Sequence, residues 1–180
     1  NGVASGTCIE EAVLQGLFEL VERDAVAVWW YNRLCRPQVD LSLCDEPYFE
    51  KLKNEYTSLG WRLWALDLTH DLNIPVYAAL AQSDAGDRFS MGFGCHLDGK
   101  LALQRALTEL NQLFDPKGTL RVPWAHDQLT SNAFLFPHGE AAKTPSCYRS
   151  ASPDLRTDIE ACIHRLDKAE LELVVADKTR

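Results

Sequence analysis

The chain has 180 residues, 46% of them hydrophobic and 24% charged, and 26 Asp and Glu against 18 Lys and Arg give a net charge of −8 at pH 7. This is enough chain for one sizeable core, or for one lobe of a larger domain, in a soluble globular composition. The acidic balance without a Lys/Arg cluster speaks against nucleic acid as a partner, and no apolar run approaches the roughly 18 residues of a membrane helix.

In chain order, a small-residue turn through Gly2 and Gly6 leads into a helix-forming run. It starts at Thr7 or Cys8, carries Glu10 and Glu11 in its first turn, and extends through Trp29-Trp30-Tyr31 to end before Pro37. At about 100° per residue, Glu11, Gln15, Glu19, Glu22 and Arg23 fall within an arc of roughly 120°. Nearly everything else in that run is apolar or small, whereas a surface helix usually shows a narrower apolar stripe. The pattern fits a helix buried over most of its girth, with a line of carboxylates held against one slot that demands a counter-charge or a cation. It fits equally a solvated face bearing an ordinary Glu19–Arg23 pair.

A second helix is expected from Asp45, with Pro47 in its first turn and Tyr48, Phe49, Leu52 and Tyr56 facing a core, ending at Gly60. Strands follow at 61–69, 74–81 and 88–96, with turns at 70–73 and 83–87. Gly92 and Gly94 mark a place where another segment or a ligand comes close. Asp98 caps a helix over 99–114. Residues 118–153 read as a long loop with one short helix, a length usually tied to function or mobility. Pro153 and Asp154 open a last helix to Lys168, and 171–176 form a final strand. Leu63-Trp-Ala-Leu-Asp67-Leu-Thr69 echoes Leu173-Val-Val-Ala-Asp177-Lys-Thr179, each behind a helix. The fold class that follows is α/β, helices packed on a largely antiparallel mixed sheet.

Two polar stripes can carry chemistry. One is Glu11, Glu19, Glu22 and Arg23. The other lies on the helix after Asp98, where Arg105, Thr108, Glu109 and Gln112 share a face. An arginine for phosphate oxygens beside an acid for Mg²⁺ is what a triphosphate requires; an i,i+4 pair on a surface helix has the same spacing. If both stripes serve one ligand, they face each other across one cleft. No P-loop or complete dinucleotide fingerprint is present, and the five histidines show no ligand spacing. The six cysteines form no C-x-x-C pair and read as reduced thiols of a cytoplasmic protein. Cys95 and His96 adjoin, but strand neighbours point to opposite faces.

Several blocks together resemble one family. They are Asn1-Gly2, Gly6, Glu10-Glu11-Ala12, Gly16-Leu17-x-Glu19-Leu-x-Glu22-Arg23-Asp24-Ala25 and Trp29-Trp30-Tyr31-Asn32-Arg33. To these add Leu66-Asp67-Leu68-Thr69, Ile74-Pro75-Val76, Gly92-Phe-Gly94-x-His96-Leu97-Asp98 and Arg105-Ala-Leu-Thr-Glu109-Leu-Asn-Gln112. These resemble the YcaO family, specifically its SagD-like thiazole- and oxazole-forming peptide maturases, over essentially the whole chain. The resemblance implies a partial YcaO-type domain, residues 1–180 being the central portion of a single domain truncated at both ends. It implies an ATP-dependent cyclodehydratase in the full-length protein, the fragment alone being inactive. In that reaction a Cys, Ser or Thr side chain of a ribosomally made peptide attacks the preceding carbonyl, ATP phosphorylates the resulting oxygen, and phosphate leaves as an azoline ring forms. ATP and Mg²⁺ are the implied cofactors. Glu11, Glu19, Glu22, Arg23, Arg105 and Glu109 are the implied ATP/Mg²⁺ residues, with Glu11, Glu19 and Glu22 at the metal. The implied partners are a precursor peptide, an E1-like (ocin-ThiF-type) protein and a flavin-dependent dehydrogenase, with a homodimer as a further option. Thioamide or amidine formation by the same ATP chemistry, and a non-catalytic peptide-binding scaffold, are the alternatives.

Overall fold

The computed structural model describes residues 1–41, 46–117, 132–139, 152 and 154–178. Helix α1 (Ile9–Asn32) leads to a two-residue strand β1 (Gln38–Val39) and helix α2 (Pro47–Ser58). Strands β2 (Trp61–Asp67), β3 (Val76–Ser83) and β4 (Phe89–Cys95) follow, then α3 (Gly99–Leu113), a 3₁₀ turn (Ala133–Leu135) and α4 (Leu155–Lys168). The four strands form one sheet in the order β1-β2-β3-β4, every pairing antiparallel. The expected strands therefore stand, each trimmed or shifted by one or two residues, and the sheet is antiparallel throughout.

Strand alternation divides the core in two. Trp64, Leu66, Val76, Ala78, Leu80 and Met91 face α1 and α4, whereas Leu63, Ala65, Tyr77, Ala79 and Ala81 face α2 and α3. Helices thus cover both faces of the sheet, and all eight residues of β3 are buried. That explains the unbroken apolar run Val76-Tyr-Ala-Ala-Leu-Ala81, which an antiparallel strand with one wet face would not carry.

The glycines of β4 set the distance between sheet and helix. A Cβ on Gly92 would stand 2.1 Å from the Leu110 nitrogen and 2.4 Å from the Ala106 oxygen; one on Gly94 would stand 2.2 Å from the Ala102 oxygen. The close segment expected at these glycines is α3, whose backbone lies directly on the strand.

Residues 132–138 lie against the α1 side, where the sequence offered only a long loop with a short helix. The Trp29 and Trp64 indoles donate to the Phe134 and Leu135 carbonyls at 3.4 and 2.9 Å. Phe134 packs edge-on against Trp29 and Trp30, and Phe136 stacks on Trp64. Most of the remaining 118–153 stretch lies outside the described residues.

Three expectations need correction. Residues 171–176 form no strand: the chain is irregular after α4, and Leu171, Val174 and Val175 are exposed. β-propensity there has no neighbouring strand to pair with among the described residues. The cap of α2 is Glu46, whose carboxylate accepts from the Tyr48 amide; Asp45, the expected cap, lies outside the described residues. Finally, α1 is not buried around its girth. It packs on β3, β4 and α4, leaving Leu20, Val28 and Tyr31 exposed, Tyr31 at 82%. No described helix is long and apolar enough to cross a membrane.

Candidate active site

Among the described residues strand β4 is an edge of the sheet, and the α3 side chains Arg105 and Glu109 reach it. Arg105 Nη1 donates to the Cys95 carbonyl at 3.1 Å, and Glu109 Oε2 accepts from the Phe93 amide. Both groups lie where an edge strand otherwise presents unpaired backbone. The i,i+4 spacing of Arg105 and Glu109 matches the two-residue step from Phe93 to Cys95, because four helical residues rise about 6 Å and two strand residues about 6.6 Å. The close seating of Ala106 and Leu110 over Gly92 brings α3 within reach.

Across this edge stands Glu22 of α1. A cleft of about 520 Å³ is lined by Glu22, Phe93, Leu101, Gln104, Arg105, Thr108, Glu109 and Gln112. The two polar stripes do share a cleft, through Glu22 on one side and Arg105 with Glu109 on the other. Glu22 is half-buried, and its carboxyl is pushed up to about 7, chiefly by burial and next by the charge of Glu109, against the pull of Arg23 and Arg105. Two acids and one arginine at a low-dielectric edge are under-neutralised, a state that a divalent cation or a cationic ligand relieves.

The other α1 side chains are used elsewhere. The Thr7 hydroxyl and amide both donate to Glu11 Oε2 at 2.7 Å, and hold its carboxyl below the usual carboxylate range. Glu11 thereby ties down the segment entering α1. Glu19 accepts from the Gly2 amide at 3.0 Å and lies 4.0 Å from Arg23, which is mostly exposed. Gly16 lets this segment pass, since a Cβ there would meet the Gly2 carbonyl at 3.0 Å. Of Glu11, Glu19, Glu22 and Arg23, expected together in one cleft, Glu22 is the one that lines this cleft. Glu11, Glu19 and Glu22, the residues expected at the metal, are spread along α1. Eleven residues of helix separate Glu11 from Glu22, about 16 Å of rise, while Mg²⁺–oxygen bonds are about 2 Å. Among the described residues no three His, Cys, Asp or Glu side chains converge on one point.

Cys95 and His96 form no nucleophile–base pair. Cys95 is buried and its thiol is held well above its ordinary value, first by burial. Burial likewise lowers His96, whose Nδ1 accepts from the Asp98 amide at 2.9 Å. Leu101, Gln104 and Phe93 were absent from the sequence-derived stripes. Leu101 and Gln104 fall at helical spacing with Thr108 and Gln112, a legible signal; Phe93 contributes through its main chain, which no side-chain pattern reports.

An antiparallel sheet between helices thus carries paired acids and an arginine gathered at one edge. The family model described as YcaO cyclodehydratase, ATP- and Mg²⁺-binding, matches residues 1–180, and the chain belongs to the YcaO family. Among solved structures it is similar to the heterocyclase TruD, 43% identical with a TM-score of 0.83, over 94% of this chain and 25% of that one. It is also similar to a heterocyclase in complex with substrate and cofactor, 42% identical with a TM-score of 0.85, over 94% and 24%. A third is YcaO from Methanopyrus kandleri bound with AMPPCP and Mg²⁺, 25% identical with a TM-score of 0.76, over 94% and 47%. The chain spans 30% and 29% of the length of the curated relatives it matches.

Proposed function

We propose that the protein carrying this chain is an ATP-dependent peptide cyclodehydratase that forms azoline rings in a ribosomally made peptide, with the β4-edge cleft as part of its nucleotide–Mg²⁺ site. The observation that carries the reading is the Glu22–Glu109 pair, two half-buried carboxylates at the edge of β4 beside Arg105. The similarity to the heterocyclases supports the ring-forming branch. Soluble, cytoplasmic operation with a precursor peptide and an E1-like partner protein belongs to the same reading.

The donor set fits Mg²⁺, which takes one or two carboxylates and completes its shell with phosphate oxygens and water. Glu22 and Glu109 are the carboxylates that would hold it. Bound there, the ion would neutralise charge on the transferring phosphoryl group. Glu109 Oε2 is fixed by the Phe93 amide, which leaves Oε1 for the cation and holds the side chain in one orientation. Arg105 uses one donor on Cys95 and brings the rest of a five-donor fork to phosphate oxygens. Glu11 and Glu19 belong to the same proposed site as its outer carboxylates, where they order the 1–7 segment beside the cleft.

Glu109→Gln tests this without chemistry. The amide keeps an acceptor for Phe93 and loses the charge. In the full-length protein, Mg²⁺-dependent affinity for a non-hydrolysable ATP analogue, measured by calorimetry, is expected to fall about tenfold to a hundredfold. Unchanged affinity removes this cleft from the nucleotide site.

A further inference from the structure

The cleft is chemically divided. Its inner part carries Glu22, Arg105 and Glu109, two of them fastened to the β4 edge. Its outer lip is the solvent side of α3, where Leu101, Gln104 and Thr108 carry no charge; Gln104 and Thr108 are exposed and Leu101 is 40% exposed. These three follow one another at i, i+3 and i+7, a single line along the helix. Thr108 Oγ1 donates back to the Gln104 carbonyl at 2.8 Å, which orients the hydroxyl and leaves its lone pairs as acceptors.

We propose that Leu101, Gln104 and Thr108 form the seat for the peptide segment that receives the phosphoryl group. This rests on the nucleotide reading above. Phosphoryl transfer places the attacking oxygen roughly in line with the leaving oxygen. With the phosphates drawn to Glu22, Arg105 and Glu109 by way of the cation, beside Phe93 of β4, the attacking oxygen would come from the α3 side, where Leu101, Gln104 and Thr108 also line the cleft. What enters is a polypeptide backbone, uncharged itself and rich in amide donors and acceptors. A lip of one carboxamide, one hydroxyl and one apolar side chain suits it: Gln104 offers both a donor and an acceptor to a peptide bond, and Leu101 covers an apolar side chain. A carboxylate or lysine on this line would instead compete for the cation or the phosphates. In the transfer itself the peptide oxygen forms a bond to the γ-phosphorus, the bond from that phosphorus to the β-bridging oxygen breaks, and ADP leaves with the electron pair. The lip residues only bind and orient.

The full-length protein, a Gln104→Ala/Thr108→Val double variant, Leu101→Ala and Glu109→Gln distinguish the two halves of the cleft. All lip positions are solvent-facing on α3, and circular dichroism checks that each variant folds. The probe is a neutral, end-capped, fluorescent peptide with a central Ala-Cys pair. Its binding is read by anisotropy with and without the ATP analogue and Mg²⁺, and analogue binding is read separately by calorimetry. The double variant is expected to weaken peptide binding about tenfold, since each lost hydrogen bond is worth about threefold to tenfold, and to leave analogue binding unchanged. Glu109→Gln is expected to do the reverse. Lip variants that weaken the analogue instead of the peptide, or that change neither, overturn the seat. Normal analogue binding in Glu109→Gln overturns the nucleotide reading alone, because the peptide's own binding still decides the seat.

Discussion

Gly92→Ala is expected to destabilise the chain severely. The new methyl group would lie 2.1 Å from the Leu110 nitrogen, 2.4 Å from the Ala106 oxygen and 2.8 Å from the Glu109 carbonyl carbon. All three are backbone atoms of one helix, so no side chain can turn aside, and relief requires moving α3 bodily off the sheet. That movement opens the contact of Ala102, Ala106 and Leu110 with the strands, all three of which are fully buried. The cost is about 4 kcal/mol or more, against a typical total of roughly 5–15 kcal/mol. Gly94→Ala meets the Ala102 oxygen at 2.2 Å and the Ala106 nitrogen at 2.5 Å and should behave alike. Gly16→Ala is the control. Its nearest neighbour is the Gly2 carbonyl oxygen at 3.0 Å, a contact relieved by a few tenths of an ångström, and it gains helix propensity of up to about 1 kcal/mol. Chemical denaturation of the three variants should therefore show a near-normal midpoint for Gly16→Ala and a strongly lowered midpoint for the β4 pair. A folded Gly92→Ala with an unshifted midpoint would contradict the close seating of α3.

Glu22→Gln is expected to remove activity and add stability. The folded-state value of Glu22, about 7, lies above its ordinary 4.5. Between those values the native state keeps a proton that the unfolded chain has lost, so the native state becomes less stable as pH rises through that window. The penalty is complete above about pH 7 and amounts to about 3 kcal/mol as an upper figure. Glutamine carries no charge to bury. In protein free of nucleotide and divalent metal, the variant should match the parent below about pH 4 and exceed it by about 2–3 kcal/mol near pH 8, as read from urea midpoints. Peptide-dependent ATP turnover of the full-length protein should fall about hundredfold or more, from loss of one carboxylate at the cation. A variant no more stable than the parent at the higher pH would mean that Glu22 is well solvated. Such a gain on losing a functional group is the expected sign of a site kept at the expense of stability.

The strands and the helices that flank them could be read from the sequence, because a two-residue alternation and a 3.6-residue period each have one physical cause. Arg105 and Glu109 were legible as a stripe, and Glu11, Glu19, Glu22 and Arg23 as the α1 stripe expected across from it. What could not be read is which carboxylates face a cleft and which tie the chain to itself. Glu11 and Glu22 sit on the same side of α1 and look alike on a helical wheel. The difference lies in Thr7, which donates to Glu11, as Gly2 donates to Glu19; both belong to an entering segment whose path over Gly16 is a tertiary fact. The end of the chain misled for a related reason: Leu173-Val-Val-Ala reads as a strand by propensity, and strand formation depends on a neighbour. β1 was missed because two residues carry no periodicity.

The glycine track under α3 has a mechanical consequence. Helix and strand meet there backbone to backbone, with no side chain between them to rotate or compress, so α3 and β4 form one fixed jaw. Helix α1 meets the same strand through side chains, with Phe18, Val21 and Trp29 in the core beneath it and a Trp29–Phe93 ring contact at 6.3 Å. Rotamer changes can adjust such a contact without breaking a hydrogen bond. Any adjustment of the cleft to a ligand is therefore expected in α1, the side that bears Glu22. Hydrogen exchange on adding the ATP analogue and Mg²⁺ to the full-length protein should change over α1 and stay constant over α3; the opposite pattern would place the moving part on the other side.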